Sequence, residues 1–279
     1  MSEKVIDRTT LPSGEGRSIS PDYRATGTRL RWVRRTRRTI AVLLPLVVWW
    51  AVAEIANSRL FPGPIEVIAT LFDAITDGTI WFHAQQTAQR GLIGLAIGVV
   101  GGVLLGVGMA SVRWMDSVLE PLVSATYPIP KLALFPLLVL ALGFGAESKI
   151  IMVTLECAYP VILTSYAATR GVDKHYLWLA RNVGAGRLAR FEIIMRATST
   201  SMVAALRMAA PIMLVIMVVT ELIGESRGLG YLIRRASSDF DPELTMAVVL
   251  LLAVVGFVLD RLIVLLGDFV GRWAGKVQL

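Results

Sequence analysis

The chain has 279 residues, of which 55% are hydrophobic and 18% charged, and a formal charge of +7. A soluble domain is about 45–50% apolar. The excess, with a mean hydropathy of +0.64, excludes a water-soluble enzyme and makes lipid the natural solvent. The positive charge sits at the ends of apolar runs, which points to a membrane surface and not to nucleic acid.

Residues 1–38 read as a separate basic tail, polar, rich in Pro, Gly, Ser and Arg, with no cleavage pattern after the first apolar run. The stretch 29–38, with Trp32 among six arginines, suits either a headgroup anchor or a solvated tail held inside by its charge. Residues 39–279 form the transmembrane domain. Six apolar runs are expected to span or nearly span, at 39–57, 86–110, 122–143, 149–169, 202–223 and 244–267, since a span needs about 20 residues. None alternates with period two, so a β-barrel is excluded. The fold class is all-α membrane protein with about six transmembrane helices.

Lys and Arg set the orientation. The tail, Arg113, the loop 170–196, Arg261, Arg272 and Lys276 fall on one side. Fewer cations, Arg59, Arg90, Lys149, Arg227, Arg234 and Arg235, fall on the other. Both termini are therefore expected in the cytoplasm.

The second run carries Gly94, Gly98, Gly102 and Gly106, a smooth stripe that lets another backbone approach closely. The third holds Pro128, Pro130 and Pro136, which fits either a hinge or a static kink. Four charges lie within or near spans: Lys131, Glu156, Arg207 and Glu221. Such charges are either functional or static helix ties. Arg207 and Glu221 are too far apart along one helix to pair with each other, so each needs a partner elsewhere.

The loop 170–196 reads as a helical hairpin. Asp173 caps a first helix carrying Tyr176, Leu177, Trp178, Ala180 and Arg181. Gly184, Ala185 and Gly186 break the run before Arg187, Leu188 and Arg190. Aromatic and Arg side chains suit a docking surface; an amphipathic pair lying on headgroups is the alternative.

No chemistry is legible. The run from Gly143 to Lys149 has Ser148 where a Walker loop needs its second glycine. The two histidines, His83 and His175, are far apart, and Cys157 is alone, so no metal site, catalytic residue or intramolecular disulfide is expected. An ion-gradient-driven secondary transporter remains the rival reading, although the inverted repeats of that class are not visible.

Several ordered stretches between residues 60 and 273 resemble the permease subunit of a bacterial ATP-binding-cassette importer of the nitrate, sulfonate, taurine and bicarbonate type. They are Phe61-Pro62-Gly63-Pro64, the run Pro128 to Leu137, the run Gly143 to Ile150, Gly184-Ala185, Ala205-Leu206-Arg207, and Gly228 to Ile233. The resemblance implies a type I importer bundle in the bacterial inner membrane. It implies two partner ATPase subunits holding ATP and Mg, with no cofactor in this chain. It also implies an extracytoplasmic solute-binding protein and a second permease, a copy of this chain in preference to a different one.

By the same resemblance, Asp173, Tyr176, Leu177, Trp178, Ala180, Arg181, Gly184, Ala185, Arg187 and Arg190 would couple to the ATPase. Pro128, Pro130, Lys131, Arg207 and Glu221 would line the path. Glu225, Gly228, Gly230, Arg234 and Arg235 would face the binding protein. The family's Glu-Ala-Ala is replaced here by Trp178-Leu179-Ala180, and its Leu-Pro by Met195-Arg196. The implied solute is a small anion such as a sulfonate, taurine or nitrate; pyrimidine precursors and aromatic acids are alternatives.

Overall fold

A computed structural model describes residues 43–56, 58–126, 128–182, 184 and 186–273. Within these, the side chains of Lys174, Tyr176, Leu177, Arg181, Arg187, Arg190, Arg272 and Trp273 are not described. The expected basic tail lies outside the described residues. Two compact units are present, dividing after Ile55. The apolar helix α1 (Leu43–Ala56) belongs to the first but for its last residue.

The second unit is built wholly of helices among the described residues. In order they are α2 (Pro64–Thr76), α3 (Thr79–Ser111), α4 (Arg113–Thr126), a 3-10 turn (Lys131–Leu134), α5 (Phe135–Leu142) and α6 (Ala146–Arg170). Then follow α7 (Lys174–Asn182), α8 (Arg187–Ala197), α9 (Ser199–Leu222), α10 (Leu229–Ser238) and α11 (Pro242–Trp273). Four of them, α3, α6, α9 and α11, are long and apolar enough to cross a membrane alone.

The expected third span is not one helix. It is α4 and α5 meeting at a bend of 89°. Pro128 and Pro130 stand in the break, where a missing N–H costs no helical hydrogen bond, and Pro136 opens α5. Counted together they make a fifth span.

Packing follows the glycine stripe. Gly94, Gly98, Gly102 and Gly106 all lie against α6. A Cβ on Gly94 would stand 2.8 Å from Val153, one on Gly98 2.9 Å from the Thr154 carbonyl, and one on Gly106 2.5 Å from the Ile162 carbonyl. The offset along the two chains stays nearly constant, so α3 and α6 run parallel. Lipid provides no hydrophobic drive between helices, so this close contact supplies the dispersion that holds them. Thr154 adds a hydroxyl bond to the Gly94 carbonyl at 3.2 Å.

Helix α9 runs antiparallel to both, with Met213 and Met217 over Gly91, and α11 returns antiparallel to α9, with Val203 over Gly267. Met152, Val153, Cys157, Val161, Ala209, Met213 and Met217 fill the centre of the bundle. This order has one consequence for function. The loop between α9 and α10 lies at the end where α3 and α6 begin, and the α7–α8 hairpin lies at the other.

Candidate functional site: a polar knot at one end and an open hairpin at the other

The α9–α10 loop is built around Glu221, the last acidic residue of α9, whose side chain is fully enclosed. Thr87 lies on the buried face of α3, about two turns from its start, and its hydroxyl stands 2.9 Å from both Glu221 carboxylate oxygens. The Gly230 N–H donates to Glu221 Oε2 at 2.9 Å. The Leu229 N–H donates to Thr87 Oγ1 at 2.8 Å, and the Gly228 N–H to His83 Nδ1 at 3.0 Å. Three consecutive amides at the start of α10 thus find acceptors inside the protein. Buried backbone donors need them, and a helix start has no intrahelical ones.

Glycine is required at both ends of this turn. Gly228 adopts φ +116° and a Cβ there would run into the Glu221 carboxylate. A Cβ at Gly230 would meet the Val218 carbonyl.

A second acidic residue, Glu225, carries the knot to the neighbouring elements. Lys149 of α6 has no exposed surface. Its ammonium stands 2.5 Å from Glu225 Oε2 and donates to the carbonyls of Phe144 and Gly145, at 2.7 and 3.1 Å. Arg90 of α3 lies between the two carboxylates, 3.3 Å from Glu225 and 4.0 Å from Glu221. Two cations and two anions therefore balance in a confined space. Burial pushes the Glu225 carboxyl up, but the Lys149 ammonium, the Ser226 amide and Arg90 together outweigh it and hold its pKa below the usual carboxylate range.

Glu221, expected on the path, is fully enclosed in the knot. Glu225, Gly228 and Gly230 turn inward and build the loop, while Arg234 and Arg235 are exposed on α10. Arg234 reaches back to the Glu225 carbonyl at 3.0 Å, and Arg235 pairs with Asp239 at 3.6 Å. Lys149 and Arg90, counted above among the cations outside the membrane, are ion-pair partners of Glu225, Lys149 buried and Arg90 partly so. Arg207 has its partner in Asp260 of α11, at 2.6 and 3.2 Å. Lys131 lies over the Tyr159 ring at 4.0 Å.

At the opposite end, the hairpin forms as expected. The Asp173 carboxylate accepts the His175 N–H at 2.9 Å, and Gly184, at φ +74°, stands between α7 and α8. Ala180 is buried, whereas Trp178 and Leu188 are 61% and 82% exposed. The side chains of Tyr176, Leu177, Arg181, Arg187 and Arg190, and all of Ala185, lie outside what is described. Asp116 of α4 ties this end of α6 by accepting from the Tyr166 hydroxyl at 2.6 Å and pairing with Arg170. No group of metal ligands exists among the described residues.

Two helices were not legible as elements: α2 and α10. Pro64 at the first turn with Glu66 accepting the Gly63 N–H at 3.0 Å marks the start of α2, a Pro-plus-acid signal present in the sequence. Buried Leu229, Leu232 and Ala236 give α10 its helical spacing.

The chain is similar to proteins of one kind. It is 27% identical over 265 residues to the taurine transport system permease protein TauC of Escherichia coli, covering 90% of this chain and 96% of that one. It is 29% identical over 220 residues to the formylaminopyrimidine transport permease protein ThiX of Halalkalibacterium halodurans, covering 78% and 88%. A probable ABC transporter permease protein of Haemophilus influenzae is 30% identical over 231 residues, covering 81% and 93%. In fold it matches an inward-facing structure of the MetNI methionine ABC transporter with a TM-score of 0.55 at 17% identity, over 69% of this chain and 94% of that one. Residues 98–272, from the glycine stripe through the hairpin, the knot and α11, match the family of binding-protein-dependent transport system inner membrane components, and the chain belongs to that family as an ABC importer permease.

Proposed function

We propose that this permease, paired with a second copy, forms the path for a small sulfonate-like anion across the bacterial inner membrane. Two ATPase subunits, which carry the ATP and Mg, dock on the α7–α8 hairpin. An extracytoplasmic binding protein delivers the solute at the α9–α10 end. Both termini are cytoplasmic in this reading, and the chain itself performs no catalysis.

The observation that carries it is the division between the two ends. The hairpin presents bare Trp178 and Leu188 on a Lys/Arg-rich side, and the other end is closed by the knot. The broken α4–α5 segment supports a place for the solute, since irregular backbone at membrane depth needs protein or water beside it. Among the described residues, Lys131 in that segment has no ion-pair partner, whereas Arg207 is balanced by Asp260. Lys131 is therefore a cation of the broken segment left to balance an anion. The taurine permease above and the aliphatic sulfonates transport permease protein of Escherichia coli, 26% identical over 246 residues, favour a sulfonate.

ATP acts only by binding the two conformations of the assembly unequally. The rigid α3–α6–α9 bundle carries the resulting shift between the hairpin and the path. Uptake of taurine and an alkanesulfonate into proteoliposomes tests this. Uptake should need both ATP and the binding protein. Uptake that persists with a hydrolysis-dead ATPase and collapses with a protonophore would establish the secondary transporter instead. Uptake of a formylaminopyrimidine in place of sulfonates would keep the importer and change its solute.

A further inference from the structure

We propose that Lys149 is a positioning residue which, through Glu225, makes the α9–α10 loop and the end of α5 move as one piece. This rests on the reading that the binding protein docks on that loop. It adds the route by which docking reaches the solute path.

The two acidic residues of the knot are built differently. Glu221 receives the Thr87 hydroxyl and the Gly230 N–H and fixes the start of α10 to α3. That layer is saturated and enclosed. Glu225 instead sits at the edge of the knot with 9% of its side chain exposed. Its ties to neighbouring helices are ion pairs to Lys149 and Arg90.

Lys149 faces both ways. One side meets Glu225 in the loop, and the other holds the carbonyls of Phe144 and Gly145, which directly follow Gly143, the C-cap of α5. The Phe144 ring closes the same seam, leaving no room for a Cβ on Gly224. A displacement of Glu225 therefore pulls on the turn that ends α5, the half-span carried by the break at Pro128 and Pro130. Buried ion pairs add little net stability but cost much when one member is removed. The arrangement suits a link that fixes relative position.

The test uses the full transporter, permease with ATPase and binding protein in proteoliposomes, and compares ATP turnover with and without the binding protein. In Lys149→Met, basal turnover should hold while stimulation by the binding protein falls about fivefold or more, the usual size of coupling between sites. Glu225→Gln, which breaks the same tie from the loop side, should lose as much stimulation. The double variant should lose no more than either single one.

Wild-type stimulation in both single variants overturns the proposal. So does a parallel fall of basal and stimulated turnover in both, which marks a merely structural role. If Lys149→Met does not assemble, Glu225→Gln decides by the same criteria. A wild-type transporter that its binding protein never stimulates overturns the docking reading itself, an outcome distinct from the other two.

Discussion

The two ends of this permease solve opposite problems. At the α9–α10 end, Glu221, Thr87, Arg90, Lys149 and Glu225 come from three helices and a loop and pair with one another inside the protein. At the α7–α8 end, the described side chains are mostly exposed, and the ion pair within α8, Arg196 with Glu192, is a solvated pair four residues apart. One end is finished by its own chain; the other leaves Trp178 and Leu188 bare. Polar groups without water must be paired within the fold, whereas a docking surface keeps its energy for association.

This contrast can be broken most forcefully at Glu221. Glu221→Ala strands the Thr87 hydroxyl and the Gly230 amide and takes from Arg90 one of its two carboxylates, and should lower stability by about 3–5 kcal/mol, read as a fall in the melting temperature of the detergent-solubilised protein. An unchanged melting temperature would mean that the knot does not hold the loop. The glycine stripe comes next. Gly106→Val places methyl groups against the Ile162 carbonyl and should destabilise by about 3 kcal/mol, in the same assay.

The open end should respond in the other currency. Trp178→Ala should leave the melting temperature unchanged and weaken ATPase association by about 2 kcal/mol, measured by titrating the ATPase onto the permease in nanodiscs. A loss of fold with no loss of association would reverse the comparison.

A pH titration sharpens the knot further. Glu225 has a folded pKa below its ordinary 4.5. Its stabilisation is therefore present in full above that ordinary value and is lost as pH falls through the lowered one. The melting-temperature gap between wild type and Glu225→Gln should be constant at neutral pH and close in that acid range. A gap that stays open at every acid pH at which the protein remains folded would contradict the assignment. The smallest effect belongs to Arg196→Ala, since an exposed pair four residues apart contributes about 0.5 kcal/mol or less.

Much of the fold was legible because its signals are local. Apolar runs long enough to cross a bilayer gave α3, α6, α9 and α11. The spacing of four in Gly94 to Gly106 gave the buried face of α3, and Asp173 with Gly184 gave the hairpin. The third span failed because prolines within an apolar run look alike whether a helix bends through them or stops. Helix α10 was missed because its apolar spacing is short and its glycines read as a turn.

The site was only half legible for a different reason. Glu221 and Arg207 stood out as charges that need partners, but those partners, Thr87 and Asp260, are 134 and 53 residues away in the chain. Arg90 and Lys149 looked like cations at the membrane boundary. Their place beside Glu225 depends on three helices meeting at one end.

The sequence by itself therefore determined a membrane-embedded helical protein, its spans of continuous helix and the hairpin, because hydropathy and capping act over a few residues. Only the tertiary structure decided which charges are exposed and which are spent on one another. Pairing across helices depends on which ends the parallel and antiparallel packing brings together, and no stretch of chain carries that information alone.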